Sequence, residues 1–586
     1  MSRPIGNDIT LGTVVETRKP LILPREARAT HLYIAGLTET GKSKFLESLI
    51  WQDLMQWTKF GCGLLLIDAH GSLYDTLVAR LAWHEQHLPR LPIVPIDLTR
   101  KDWVVGYNVL RPRRETEASV VVGNFVQAMA HAWGADGTDA TPLLARWASR
   151  ILNTLYEKQF TLVEAECLTD LVSKEVRQAL TEGIKSRSGK RDWGFLATLS
   201  PKDVEVRISS FLNRIERFLD TAVLRRMFGQ QARSLDLDEA LREGKIILVN
   251  LSQAGGKIYE EDARLFATLL LADLWTAAKE RGKPVAGKSH RPFYVYLDEF
   301  QRFVTPTIAQ NLDEARGFGL HLTLAHQFPN QLLNEGLHGK KVYDSVMANA
   351  RNKAVFAMEG EENLRPLAER LYRGAMSPMK VKNRLYSTKV MSYAEELRTS
   401  RHHSTSDSRS RAEQRGSAAG SGSGGTTVFP WQSHEPSLLS ASTSQFASQS
   451  QSESSTWGEA RVVGETESTM LFPEFGKELS SLEYEPLEEQ LFRAMGALYD
   501  QAQRHFVTRL VGSRIPLAVR TPTVHPVPAT EEFTEKFTTK LLRRQTCALL
   551  RSEADSAIKK RDERIAELVS KGAAEPDDIR RPVKGA

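Results

Sequence analysis

The chain has 586 residues, 41% of them hydrophobic, with a formal net charge of +6 and a pI near 9.0. That is too long for one ordinary core and predicts two to four domains, and the mild basic excess is compatible with a nucleic-acid partner. No apolar run approaches the ~18 residues that span a bilayer, no charged-then-apolar leader opens the chain, and three scattered cysteines (Cys62, Cys167, Cys547) argue against a disulfide framework or a zinc site, so a soluble cytoplasmic protein is expected.

In chain order, residues 1–30 carry Gly and Pro punctuation around short β-prone runs and read as a β lead-in. Strand and helix signals then alternate through 31–114, with GLLLID (63–68) and LPIVPIDL (91–98) as apolar strands. Helix-period patterns dominate 115–235, which predicts an all-helical insertion. Strand signals return in 236–372 with GKIILVNL, FYVYLDE, LHLTLAHQ and KAVFAM. The pattern fades over 373–483, expected to be a linker, and the Ser-, Gly- and Gln-rich stretch 400–457 is expected to be disordered. Residues 484–530 predict a helix and a hairpin turning at Gly512-Ser513 that returns to the main domain, and 531–586 a charged helix and tail. Very apolar strands alternating with helices imply an α/β fold, a mostly parallel sheet covered by helices.

The chemistry starts at HLYIAGLTETGKSKFLESLI (31–50): a strand, a polar turn and an amphipathic helix, with Gly36-x-x-x-x-Gly41-Lys42-Ser43 in the turn. The loop Gly36, Leu37, Thr38, Glu39, Thr40, Gly41, Lys42, Ser43, Lys44 can wrap a polyphosphate with backbone N–H groups, and the helix aims its positive end at the same place. Lys42 would reach the β- and γ-phosphates and the Ser43 hydroxyl would ligate Mg²⁺. Glu39 is an acid inside an anion-binding loop and must point away. Hydrolysis also needs acids at the end of a neighbouring strand. Asp68 ends one candidate strand; Asp298-Glu299 ends another and supplies a pair. We assign Asp298 to the Mg²⁺ shell and Glu299 to activating water. Asp68 stands equally well as a non-catalytic strand-end residue. Gln327 ends LHLTLAHQ, and its amide can report a γ-phosphate. Arg316, between those strands, suits a transferring phosphate, or else pairs on the surface with Asp313 or Glu314; Arg351 is the weaker alternative.

Together these motifs resemble the HerA/FtsK superfamily of ring-forming DNA-pumping ATPases, and within it the TraD/TraG-like type IV coupling proteins and the helicase HerA-like central domain. IDAHGSLYD, VVGYNVLRP, LDLDEALREGKIILVNLS, LDEFQRFVT, EARGFGLHLTLAHQ and NARNKAVF occur in the family's order. The resemblance covers about 31–371 and 486–526. It implies a RecA-like P-loop ATPase core of the ASCE type with a helical insertion, using ATP and Mg²⁺ and assembled as a homo-hexamer around DNA. It places the catalytic acid on Glu299, the sensor on Gln327 and an arginine acting in trans on Arg316. The chain departs from the family pattern at Glu39, where Gly is usual, and at Ala69, where Pro is usual. It lacks the transmembrane helices of membrane-anchored coupling proteins, and its first 30 residues are too few for the larger β-barrel of HerA.

KSRSGKRDWGF (185–195) is the most concentrated basic stretch with an aromatic. Read as a loop, it would offer Lys185, Arg187, Lys190 and Arg191 to DNA phosphates and Trp193 to a base; a plain solvated loop fits the same residues. Three functions follow from these readings: a DNA translocase in conjugative or mobile-element transfer with a relaxase or secretion-channel partner, peripheral to the inner membrane through that partner; a HerA-like helicase or translocase working with a nuclease; or an ATPase energising protein export.

Overall fold

The apolar runs become strands buried on both faces. In β4 (Gly63–Asp68), Leu65 and Ile67 enter one core while Leu64 and Leu66 enter the other, and β3 (Leu32–Ala35) divides Tyr33 and Ala35 from Leu32 and Ile34 in the same way. A strand apolar at every position has no solvent side, so helices must cover both faces of its sheet. Helices Lys42–Phe60 and Ser72–Trp83 cover one face, and helix Glu260–Glu280 covers the other.

The structure is a computed structural model that describes residues 7–570 except 89, 114–115, 134–141, 170–173, 254–257, 283–289, 306–311, 334–335 and 406–460. Further strands are β1 (Ile9–Val14), β2 (Pro20–Leu23), β5 (Ile93–Asp97), β6 (Trp103–Val105), β7 (Ile246–Asn250), β8 (Phe293–Asp298), β9 (Leu320–His326) and β10 (Asn352–Phe356). After them come β11 (Val381–Thr405), β12 (Arg461–Tyr484), β13 (His505–Arg509), β14 (Leu517–Arg520) and β15 (Ala548–Leu550). The main sheet has the order β2-β1-β14-β13-β10-β3-β9-β8-β4-β7-β5. Its pairings from β10 to β5 are all parallel, and those joining β2, β1, β14, β13 and β10 are antiparallel. This is the arrangement of a P-loop α/β core, with the phosphate-loop strand β3 near the middle and the acid-bearing strand β8 one strand beyond β9.

Between β6 and β7 a run of helices extends from Ala118–Ala132 through Ala222–Phe228 and on to Leu237–Glu243. Its core, including Phe125, Trp147, Phe211 and Phe218, is continuous with one face of the sheet. The expected β lead-in and the hairpin after residue 500 form the antiparallel side of the same sheet. The expectation for the tail missed a strand: β15 pairs with β6 (Ala548↔Val105) between helices Glu531–Arg543 and Arg551–Ser570.

The chain divides into two units, residues 1–376 with 488–586, and residues 377–487. In the second unit the expected linker 373–483 is corrected. β11 and β12 form a long antiparallel two-stranded ribbon, with registers from Val381↔Tyr484 to Thr405↔Arg461. The expected disorder over 400–457 does not apply to 400–405, which continue β11; the rest of that stretch lies outside the described residues. The ribbon was missed because its apolar residues are interleaved with Ser, Thr, Glu and Lys and its three register shifts break a period-2 reading. No helix among the described residues is long and apolar enough to cross a membrane.

Candidate active site

The phosphate loop is built by close approach. A Cβ on Gly36 would stand 2.5 Å from the Phe356 Cβ, so only glycine lets the loop leave β3 beside β10. The Gly36 N–H donates to the Gln327 carbonyl at 3.1 Å and the Leu37 N–H to the Ala357 carbonyl at 3.1 Å, which ties the loop entrance to the ends of β9 and β10. Gly41 caps helix Lys42–Phe60 with φ +107°, a left-handed geometry that other residues resist. The first turn of that helix has N–H groups without intrahelical partners, aimed at the loop. Glu39 also has a left-handed backbone, φ 63°, and is exposed, so its carboxylate is turned out to solvent as the chemistry requires.

Three charged side chains meet beside the loop. The Lys42 Nζ donates to the Glu299 Oε1 at 3.0 Å and lies 3.9 Å from the Asp298 Oδ1; all three residues are buried. Glu299 sits just past β8 with φ 53°, a costly conformation for a non-glycine residue that persists where its surroundings hold it. Gln301 helps hold it, donating from Nε2 to the Glu299 Oε2 at 2.7 Å. Burial raises the Asp298 carboxyl to about 7; Lys42 opposes this, and the charges of Glu299 and Asp68 add to it. Burial also pushes Glu299 upward, but Lys42 and the Gln301 amide outweigh it and hold that carboxyl below its ordinary value. The neighbours thus differ in affinity for a proton. Asp298 keeps one buried oxygen, Oδ1, with no hydrogen-bond partner. A carboxylate oxygen without a hydrogen bond, 3.9 Å from the Lys42 Nζ, and an exposed hydroxyl on the next residue, Ser43, fit a hard cation, which prefers oxygen ligands.

Asp68, the rival acid, is already used. Its Oδ1 accepts from the His70 N–H at 3.0 Å and its Oδ2 from the Tyr74 N–H at 2.8 Å, which fixes the turn into helix Ser72–Trp83. Gln327 stands at the loop entrance, half-buried, one residue beyond β9. Before it, His326 is fully buried and bonded through Nε2 to the Tyr33 hydroxyl; burial and the nearby Lys42 hold it neutral.

Arg316 is exposed in the turn Arg316–Phe318 that precedes β9, so it lies at the opposite end of the parallel strands from Asp298 and Gln327. A strand of that length separates the two ends by roughly 20 Å. Arg351, just before β10, lies at that same far edge. Neither arginine is brought to the phosphate loop of its own chain. His31 anchors the stretch leading to Arg316: its Nε2 bonds the Leu312 carbonyl at 2.8 Å, and its Nδ1 accepts from the Leu322 N–H at 3.1 Å.

The expected DNA loop is corrected. Residues Arg187–Ala197 form a helix capped by Ser186, whose Oγ accepts from the Gly189 N–H. Lys185, Arg187, Lys190 and Arg191 are exposed. Trp193 is buried, donating to the Thr154 Oγ1 at 2.9 Å and stacked edge-on against Trp147, so it has no face free for a base. Gly189 and the dense charge suggested a loop; the spacing of Ile184, Trp193 and Leu196 instead packs the segment onto the insertion core.

Two site residues had no sequence signal. Gln503 donates from Nε2 to the Glu39 carbonyl at 3.0 Å, and the Arg504 N–H donates to the Thr40 carbonyl at 2.8 Å. The Arg504 guanidinium is tied in turn to the Thr521 carbonyl and the Thr523 hydroxyl. The turn before β13 therefore forms the outer wall of the phosphate loop.

Residues 292–417 match the family model described as the TraM recognition site of TraD and TraG, a segment that includes Asp298, Glu299, Arg316 and Gln327. The match agrees with the TraD/TraG-like resemblance read from the sequence. Among solved structures, the chain is similar to the bacterial conjugative coupling protein TrwBdeltaN70, at 13% identity over 89% of this chain and 90% of that one, with a TM-score of 0.45. TrwB in complex with the non-hydrolysable ATP analogue ADPNP matches at 16% identity over 61% and 78%, with a TM-score of 0.41. VirB4 of Thermoanaerobacter pseudethanolicus matches at 14% identity over 62% and 88%, also with a TM-score of 0.41. No curated protein matches.

Proposed function

We propose that this chain is an ATP hydrolase that moves DNA, a translocase of the coupling-protein type acting in conjugative or mobile-element transfer. One observation carries the reading: the phosphate-loop Lys42 is held between two strand-end acids of unequal proton affinity, one hydrogen-bonded to it and one whose Oδ1, 3.9 Å away, makes no hydrogen bond. ATP as the nucleotide is further supported by the coupling protein TrwB, solved with an ATP analogue and with ADP and Mg²⁺. The match to a TraM recognition site supports a partner protein on the DNA-processing side.

With ATP bound, Lys42 leaves Glu299 for the β- and γ-phosphates. Ser43 and the Asp298 Oδ1, which has no hydrogen bond, are the residues that would hold Mg²⁺, and the ion would supply positive charge against the phosphates. Glu299, released from its ion pair, accepts the proton of the attacking water. The water oxygen bonds to the γ-phosphorus as the bond to the bridging oxygen breaks, and ADP leaves. Gln327 contacts the γ-phosphoryl group and relays its loss through β9. Arg316, on the far sheet edge of its own chain, acts on a neighbouring copy's nucleotide in a hexameric ring.

The test measures ATP binding and turnover separately, with and without DNA. Glu299→Gln is expected to bind ATP and lose turnover by about 10²–10⁴-fold, while Lys42→Ala weakens binding. Normal turnover by Glu299→Gln sinks the assignment. Turnover that DNA does not stimulate sinks the DNA cargo and favours a polypeptide. For Arg316, mixing Arg316→Ala with Lys42→Ala is expected to restore part of the activity, because an intact loop can then face an intact arginine. No recovery in verified mixed assemblies turns attention to Arg351.

A further inference from the structure

The β11–β12 ribbon has no role in the chemistry above. Its strands of 25 and 24 residues extend roughly 80 Å. It is a two-stranded sheet, so among the described residues both outer edges lack a neighbour. Two strands alone in water are marginal at best, and unpaired edges invite pairing with another chain.

Its base is one-sided. Tyr386 faces Leu479, Val390 faces Phe475, and Leu482 lies opposite Arg384. Alternation puts these side chains, Arg384 among them, on one face, while Leu385, Ser387, Lys389, Gly476, Glu478 and Ser481 take the other. Tyr386 is 54% exposed and Leu479 and Phe475 are each 48% exposed, an apolar strip without cover that is crossed once by the pair Thr388 and Lys477. The two strands also differ in charge. β11 carries five basic residues against two acidic ones, and β12 carries five acidic residues against two basic ones.

We propose that this ribbon is an assembly surface whose occupant is the ribbon of a second copy of the chain, joined head to tail with the basic β11 of one copy beside the acidic β12 of the next. Each ribbon carries both halves of such a contact, so repetition builds a ring or barrel rather than a closed pair. Strand direction permits it: with all ribbons pointing the same way, β11 of one copy runs antiparallel to β12 of its neighbour, as in an up-and-down barrel. The apolar strip then turns inward and leaves water. Pro473 removes one N–H from β12, so side-chain complementarity sets the register rather than an unbroken backbone ladder. The contact requires no nucleotide, which separates it from the motor activity proposed above.

The experiment uses full-length protein without nucleotide. One preparation carries Thr388→Cys and the other Ser481→Cys, both in a Cys167→Ser background, and a short bismaleimide links them. Cross-linked dimers are expected when the two are mixed and not from either alone. Lys382→Glu, Arg384→Glu and Lys389→Glu on the first chain are expected to cut the mixed product about tenfold. Adding Glu474→Lys, Glu478→Lys and Glu483→Lys on the second chain is expected to restore it. Phe475→Ser, which leaves the charges alone, is expected to lower the yield as well. A chain that sediments as a monomer at micromolar concentration overturns the proposal. So does linkage of like with like, or linkage that ignores charge reversal.

Discussion

Leu248 in β7 and Leu479 in β12 are both strand leucines, yet the first has no exposed surface and the second is 48% exposed. They stand for two regions built on opposite terms. The main unit encloses its strands between helices and answers charges buried away from the phosphate loop with close partners at several places. Arg28 and Asp53 are such a pair, bonded through two nitrogens at 2.7 Å each. The ribbon encloses nothing and spreads its charges along two open strands. A region that supplies its own cover is stable as a single chain; one that leaves apolar residues and edges open takes its stability from something that docks on it.

The sharpest break between the regions is in stability. Leu248→Ala is expected to cost about 2–5 kcal/mol of unfolding free energy, because it empties a fully packed site. Leu479→Ala in the dissociated chain is expected to shift the same transition by less than about 0.5 kcal/mol. Chemical denaturation of both variants reads this directly, and equal losses would mean that the ribbon is supported from within.

A smaller effect follows from Asp298. Its proton affinity is raised from 3.8 to about 7, so the folded state holds that proton more tightly than the unfolded chain does. This group therefore favours folding at acid pH, and its contribution is lost as pH climbs from about 4 through about 7. Cation binding needs the carboxylate. Mg²⁺-dependent nucleotide affinity is expected to fall up to about tenfold per pH unit below 7, and affinity measured in chelator much less. Asp298→Asn should flatten the difference, and titration calorimetry at several pH values checks it. The smallest effect is at Gln503. Gln503→Ala removes one hydrogen bond of about 0.5–1.5 kcal/mol, so nucleotide affinity is expected to drop a few-fold with turnover of the bound complex nearly unchanged. An unchanged affinity would make that turn a passive neighbour.

The same contrast explains what could be read without coordinates. Strands such as GLLLID and FYVYLD announce themselves because burial on both faces leaves no room for polar residues. The loop Gly36–Ser43 and the paired acids Asp298 and Glu299 stand out in the sequence because the phosphate chemistry proposed for them confines residue type and spacing, and the fold brings Lys42, Asp298 and Glu299 together. Asp68 was ambiguous, since a strand-end carboxylate looks alike whether it serves a cation or two backbone N–H groups. Trp193 misled because a basic stretch with an aromatic reads as a docking loop until packing is seen. Gln503 and Arg504 were invisible: their partner loop lies far back in the chain, and only the sheet order brings the two together.

That sheet order has a consequence for how the molecule is made. β3, completed at Ala35, takes its neighbours from β9 and β10, and β10 ends at Phe356. At ~5–20 residues per second of synthesis, β3 waits roughly 15–65 s before both flanks exist. The wall around its loop arrives later still, with residues 503 and 504. A nascent chain therefore holds the strand that leads into its phosphate loop as an exposed apolar segment until residue 356 has been made, and the wall of that loop is incomplete until residue 504 follows.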